Sequence, residues 1–170
     1  MVYKKRTSNR IPGFDYSAEG AYFLTICTLN RKELLSKIRV GTGLPDCPGT
    51  PEILLTKYGI IAEKYIKQLN TFYQHISIDK YVIMPDHIHL LICISYQQEA
   101  PTERKGNNSE ISKFVSTLKR FCNKDFGENI WQGRYYDHVV RNQKDYQEIW
   151  EYIDHNPMKW ILMQGKDQGE

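Results

Sequence analysis

The segment His87-Ile88-His89-Leu90-Leu91-Ile92-Cys93-Ile94 constrains the fold more than any other part of the chain. It follows the tight break Pro85-Asp86 and reads as a strand, whose side chains alternate between two faces. Ile88, Leu90, Ile92 and Ile94 make one fully aliphatic face, suited to packing against helices. His87, His89, Leu91 and Cys93 make the other. Two of the chain's five histidines therefore stand together at the head of a buried-looking strand. Both rings project from one face and can share a metal ion.

The rest of the pattern builds a sheet around this strand. Residues 21–28 are rich in aromatic and β-branched side chains and read as a first strand. Arg39 to Pro51 holds three glycines and three prolines and reads as a loop. Ile53, Leu54, Ile60, Ile61, Tyr65, Ile66 and Leu69 follow near helical spacing. Ile76 to Met84 reads as the second strand, and His87 to Ile94 as the third. Gln97 to Asn108 is polar and reads as a loop.

Ser109 to Asn123 reads as a second helix, with cap chemistry at Ser109, Glu110 and Ser112. Its apolar stripe is Ile111, Phe114, Val115, Leu118 and Cys122. Trp131 to Arg141 is predicted as a fourth strand. A final helix is predicted from Asn142 to about Trp160, interrupted near Pro157. The order β-α-β-β-α-β predicts an α+β protein, a ferredoxin-like antiparallel sheet with two helices on one face. The histidines sit on the face those helices leave open, where the final helix is free to lie.

A length of 170 residues fits one domain, residues 1–170, with a sizeable core. Net charge is +3, too little by itself to imply a nucleic-acid partner. The basic N-terminal arm, residues 1–10, concentrates Lys4, Lys5, Arg6 and Arg10 with no acid. It is either a solvated tail or an arm that contacts phosphates. Cys27, Cys47, Cys93 and Cys122 contain no CxxC pair, which argues against a zinc knuckle. Three of them lie in apolar segments and read as small core residues in a reducing, cytoplasmic setting. No apolar run approaches the ~18 residues of a membrane span.

On the final helix, Tyr152 and Asn156 are four residues apart and share a face. With Ile149 at zero on a wheel of about 100° per residue, Ile153, Tyr146 and Trp150 fall at roughly +40°, +60° and +100°. Tyr152 and Asn156 fall near −60° and −20° by the same rule. Ile149, Ile153, Tyr146 and Trp150 are the plausible core stripe, which makes Tyr152 rather than Tyr146 the candidate reactive tyrosine. Asn156 before Pro157 is equally suited to ending a helix.

Three blocks of the sequence resemble the single-tyrosine HUH transposases, the branch of REP-associated tyrosine transposases and IS200-like enzymes. His87-Ile88-His89 matches the histidine–hydrophobic–histidine signature, within the similar stretch Val82 to Leu91. Trp131 to Asn142 is a second block. Asp145-Tyr146 and the run Tyr152 to Pro157 form the third. The resemblance spans about residues 8 to 165. It implies Tyr152 as nucleophile, and His87, His89 and Asn156 as ligands of one divalent metal, Mg²⁺ or Mn²⁺. His138, inside the second block, is either a group that orders the site, as the resemblance implies, or an ordinary half-buried histidine. Arg134 and Arg141 flank the fourth strand and either grip phosphates or are surface charge.

The implied reaction is cleavage and rejoining of single-stranded DNA, hairpin or palindromic, through a 5′-phosphotyrosine, by a monomer or homodimer. The residue types suit it. A divalent cation neutralises phosphate oxygens, a mixed N/O site suits Mn²⁺ and accepts Mg²⁺, and a phenolate leaves readily enough for rejoining. Amidohydrolases also carry H-x-H but need a longer barrel. The two-histidine phosphoesterases need two His-x-Ser/Thr motifs, and the chain does not have two. The serious alternative is a non-catalytic protein that binds single-stranded or hairpin nucleic acid on its open sheet face. Lys113, Lys119 and Arg120 read as a solvated helix face.

Overall fold

The computed structural model describes residue 11 and residues 13–41, 49–97 and 109–164. The elements in chain order are β1 (Gly20–Cys27), a 3-10 turn (Leu29–Arg31), β2 (Ser36–Val40), β3 (Pro51–Leu55) and α1 (Lys57–Phe72). They continue with β4 (Ile76–Ile83), β5 (His87–Ile94), α2 (Glu110–Phe126), β6 (Tyr136–Val139) and α3 (Gln143–Gln164). The main sheet has the order β4-β5-β1-β6, with every pairing antiparallel. Leaving the hairpin β2–β3 aside, this is the ferredoxin-like topology that the pattern predicted.

Register carries the two faces of β5 across the sheet. Tyr22, Leu24 and Ile26 of β1 pair with Ile92, Leu90 and Ile88. Phe23, Thr25 and Cys27 pair with Leu91, His89 and His87. The aliphatic face is closed by Ala62, Tyr65, Ile66 and Leu69 of α1 and by Ile111, Phe114, Val115, Leu118 and Cys122 of α2. Thr56 and Ser109 cap the two helices, their hydroxyls accepting from the Gly59 and Ser112 amides at 3.3 Å. Gly59 admits no side chain, since a Cβ there would stand 2.1 Å from the Leu35 carbonyl oxygen. The chain leaving the 3-10 turn therefore lies directly on the start of α1.

The other face carries a separate cluster of Phe23, Val82, Met84, Leu91, Ile149 and Ile153. α3 lies across it, as predicted. Ile149 and Ile153 are buried, and Tyr146 and Trp150 pack at the cluster's edge.

Four expectations are corrected. The loop after Arg39 and the start of the first helix are in part a hairpin, with Ile38 of β2 opposite Ile53 of β3. Both isoleucines pack against the α3 cluster. A run as short as Pro51–Leu55 does not distinguish strand from helix by period. The fourth strand shrinks to Tyr136–Val139, while Trp131 makes an isolated bridge to Thr28 and is 2% exposed. α3 runs through Pro157 to Gln164, its Trp160 packing back on the cluster, so burial outweighs the one lost helical hydrogen bond. Of the cysteines, Cys122 alone is buried among the described residues, and Cys27 and Cys93 are half-buried.

Ser109 and α2 otherwise follow the expectation. The basic arm with Lys4, Lys5, Arg6 and Arg10, residue Cys47 and most of the polar loop after Gln97 lie outside the described residues. No helix among the described residues is long and apolar enough to cross a membrane.

Candidate functional site

The site is assembled where the head of β5 meets α3. His87 and His89 are 6% and 4% exposed, and their Nε2 atoms are 3.0 Å apart. Each ring is held from behind. The His87 Nδ1–H donates to Asp86 Oδ1 at 2.5 Å, and Arg31 Nε lies 2.7 Å from Asp86 Oδ2. A carboxylate only accepts, so His87 Nδ1 carries a proton, and Nε2 is the ring atom turned toward His89. His89 Nδ1 pairs with Thr25 Oγ1 at 2.9 Å, and its ring stacks on Phe23 with centroids 5.0 Å apart.

Burial, then the neighbouring His87 ring and Arg31 guanidinium, push the His89 pKa down to about 3. Near neutral pH its imidazole is uncharged and able to act as a ligand.

α3 is fixed over this pair at several points. Its first turn is capped by Asn142, whose Oδ1 accepts from the Asp145 amide at 2.9 Å. Asp145 in turn accepts from the Arg141 amide at 3.0 Å and from His138 Nε2 at 2.9 Å. The register shift in β4 falls between Ile78 and Lys80, so Asp79 is the extra residue of a bulge. Asp79 Oδ2 accepts from the Tyr146 hydroxyl at 2.8 Å and the Cys93 thiol at 2.9 Å, while Ser77 Oγ donates to Oδ1 at 2.8 Å. Lys80 Nζ reaches the Asp154 carboxylate at 2.7 Å and stands 4.1 Å over the Trp150 ring.

These hooks set the rotation of α3. The Tyr152 ring comes to 5.3 Å from His89 and 5.9 Å from Phe23, centroid to centroid. The Trp160 ring lies 6.3 Å from His87. Asn156 is midway between Tyr152 and Trp160 at helical spacing and is 7% exposed. Its Nδ2 lies 3.5 Å from the Tyr152 carbonyl one turn earlier. Tyr152 is 40% exposed, and Lys159 Nζ stands 4.6 Å over its ring. Tyr146 is engaged elsewhere, with burial and the Asp79 hydrogen bond raising its pKa to about 12. Tyr146 thus lies on the packed stripe to which the helical wheel assigned it.

His87, His89 and Tyr152 are thus brought together from two elements, with Asn156 buried one turn beyond Tyr152 on α3. The other sequence candidates are not. His138 holds Asp145 at the start of α3 and contacts neither imidazole. Arg134 and Arg141 are exposed on the loops that bracket β6. Lys119, expected on a solvated face, instead donates to the Gln132 carbonyl at 2.7 Å and reaches those of Gly133 and Arg134 at 3.5 Å. Burial lowers its pKa to about 8. It braces the loop that precedes β6.

Sequence reasoning missed Arg31, Thr25, Phe23, Asp79 and Lys159. Thr25 and Phe23 could have been found from their alternation within β1. Nothing local marks Arg31 or the bulge at Asp79. Among the described residues no group of three or more His, Cys, Asp or Glu can hold a metal. A cation here would have two imidazoles and a neutral third ligand. A 3.0 Å Nε2 separation suits that use, because ligands at about 2.1 Å and roughly right angles stand that far apart. The donor set and its spacing fit a divalent ion.

Residues 53–156, more than half of the chain, match the family model described as Transposase IS200 like. The chain belongs to the IS200-like transposase family. A protein of Haemophilus influenzae described only as uncharacterized is 29% identical over 171 residues, covering 91% of this chain and 89% of its own length. The REP-associated tyrosine transposase of Escherichia coli is 27% identical over 148 residues, covering 86% of this chain and 72% of its own. A solved structure of a REP-associated tyrosine transposase bound to a REP hairpin shares the fold, with a TM-score of 0.58 and 22% identity. That match covers 94% of this chain and 74% of the other.

Proposed function

We propose that this protein cuts and rejoins single-stranded DNA by transesterification on Tyr152, at a divalent metal held by His87, His89 and Asn156. The observation that carries this reading is the pair of Nε2 atoms 3.0 Å apart with the Tyr152 ring beside them. Neither a binding module nor a structural domain needs two buried imidazoles aimed at one point beneath a half-exposed tyrosine.

In the forward step the Tyr152 oxygen attacks a backbone phosphorus. The tyrosine–phosphorus bond forms and the bond from phosphorus to the 3′ oxygen breaks. The phenol proton is lost, and the released 3′ oxygen takes up a proton. The strand end left on the protein is a 5′-phosphotyrosine. Attack by a 3′-hydroxyl reverses the step with no external energy, because a phenolate is a good leaving group. Mn²⁺ or Mg²⁺ supplies neutralisation of the phosphate oxygens when bound.

Asp86 and Thr25 keep the two imidazoles oriented, and the hooks on α3 hold the tyrosine near them. A relative's structure holds a REP hairpin, which supports folded single-stranded DNA as the substrate class. Arg134 and Arg141, exposed on loops around β6, are available to the flanking phosphates, and Lys4, Lys5, Arg6 and Arg10 of the N-terminal arm supply further positive charge for them.

The test is incubation with a panel of hairpin oligonucleotides and Mn²⁺, scored for a covalent protein–DNA adduct and mapped by mass spectrometry. Wild type and Tyr146→Phe form the adduct on Tyr152, and Tyr152→Phe forms none while still binding DNA. An adduct mapped to Tyr146 would overturn the assignment. Hairpin binding without any adduct would favour the non-catalytic alternative.

A further inference from the structure

The 3-10 turn after β1 holds an arginine in a position that nothing in the sequence pattern marks. Asn30 and Arg31 have φ of +54° and +57°. Side chains with a Cβ adopt this left-handed region at a cost, and it persists only where the surroundings impose it. The surroundings here are specific. The Thr28 amide donates to the Asp86 carbonyl at 2.9 Å, and the Thr28 hydroxyl lies 2.7 Å from the Lys32 carbonyl and 3.0 Å from that of Asp86. The Leu29 amide donates to the Ile130 carbonyl at 2.6 Å and the Leu35 amide to the Pro85 carbonyl at 2.9 Å. The turn is tied to the β4–β5 corner on both sides.

The result is a guanidinium lying along the head of β5. Arg31 Nε is 2.7 Å from Asp86 Oδ2, and Nη1 donates to Cys27 Sγ at 2.8 Å. Cys27 is the cross-strand partner of His87, so the arginine head stands beside the imidazole pair. The Asp86 side chain is 7% exposed, whereas that of Arg31 is 50% exposed. One edge of the guanidinium is spent on a carboxylate and one N–H on a weakly accepting sulfur. Nη2 has no protein acceptor among the described residues. A cation needed only to balance Asp86 requires neither a strained backbone nor an open edge. A guanidinium with an open fork is suited to the non-bridging oxygens of a phosphate.

We infer that Arg31 is a phosphate-binding residue of this site, donating from its open edge to the nucleic-acid strand held at His87 and His89. This rests on the strand-cleavage reading above and adds a protein cation to the charge stabilisation at the cleaved phosphate.

The test separates the two. Binding of a fluorescent hairpin oligonucleotide is measured in chelator across a salt series, for wild type, Arg31→Gln and Arg31→Lys. Arg31→Gln lowers the slope of log affinity against log salt by about 0.7, the value of one single-strand phosphate contact. Arg31→Lys keeps most of the slope. In Mn²⁺ at saturating DNA, the adduct rate falls by about 100-fold in Arg31→Gln, the lower end of the range for loss of one transition-state donor. Binding of Mn²⁺ alone is unchanged.

An unchanged slope and rate in Arg31→Gln would overturn the inference. So would loss of Mn²⁺ binding in that variant, since Arg31 would then act only through Asp86 and His87. If Arg31→Gln fails to fold, Arg31→Lys decides: a wild-type slope with a reduced adduct rate supports the inference, and a wild-type rate overturns it. An Arg31-dependent slope in a protein that forms no adduct would sink the cleavage reading and leave the phosphate contact standing.

Discussion

The two faces of the central sheet are built from the same strands and solve different problems. The face under α1 and α2 is a continuous apolar core, with Ile88, Leu90 and Ile92 fully buried. The face under α3 is a small apolar cluster ringed by polar attachments: Asp79 to Tyr146, Lys80 to Asp154, and Asp145 to His138. Shape and area hold the first. Geometry holds the second, because hydrogen bonds fix a rotation where apolar packing tolerates repacking. Under the proposed reaction, a helix that delivers Tyr152 to two imidazoles needs the second kind of support. The comparison implies that stability resides on one face and chemistry on the other.

The largest expected effect tests that division directly. Leu90 and Leu91 are both 0% exposed on opposite faces. Leu90→Ala should lose about 3–5 kcal/mol and Leu91→Ala about 2 kcal/mol, since α3 can settle over the smaller cluster more readily than two helices can. Urea unfolding of the two variants gives the difference. Equal losses would mean that α3 is as much a part of the core as α1 and α2.

Next is Asp79→Ala, which leaves the Tyr146 hydroxyl and Cys93 thiol without their shared acceptor. It should cost about 1–3 kcal/mol and lower the adduct rate at saturating DNA. A full loss of stability with an unchanged rate would show that the bulge serves folding alone.

A pH series sharpens the comparison from the other side. The His89 pKa is lowered from 6.5 to about 3 in the folded chain. Between those values the unfolded chain binds a proton that the folded chain does not. This contribution to stability is fully present above about pH 6.5 and is lost as pH falls toward about 3. His89→Gln should flatten the acid limb of the stability curve. An acid limb identical to wild type would assign it to the carboxylates instead.

The smallest expected effect on stability is that of Asn156→Ala, within about 1 kcal/mol. Isothermal titration with Mn²⁺ should nevertheless show clearly weakened binding. Weakened folding with intact Mn²⁺ binding would make Asn156 a packing residue of α3 and remove it from the site.

Much of this arrangement was legible in the residues. The alternation of His87 to Ile94 assigns both faces of β5, and the period-3.6 stripes of α1 and α2 identify what covers one of them. The wheel of α3 separates Tyr152 from Tyr146. The hairpin β2–β3 was not legible, because five residues such as Pro51-Glu52-Ile53-Leu54-Leu55 fit a strand and a helix start equally. Nor was the helix through Pro157, because the local cost of a proline says nothing about the packing of Trp160 beyond it.

By itself the sequence determined the periodicities, the cap at Ser109, and the spacing of the two histidines and of Tyr152 and Asn156. These follow from the repeat of a strand or helix and from side-chain chemistry within a turn of each residue. Only the tertiary structure decided that Asp79 is a bulge that hooks α3, that Lys119 braces a loop, and that Arg31 is pressed into a left-handed turn beside Asp86. Those outcomes depend on hydrogen-bond partners distant in the chain. A local pattern carries no information about a partner until the sheet register brings the two together.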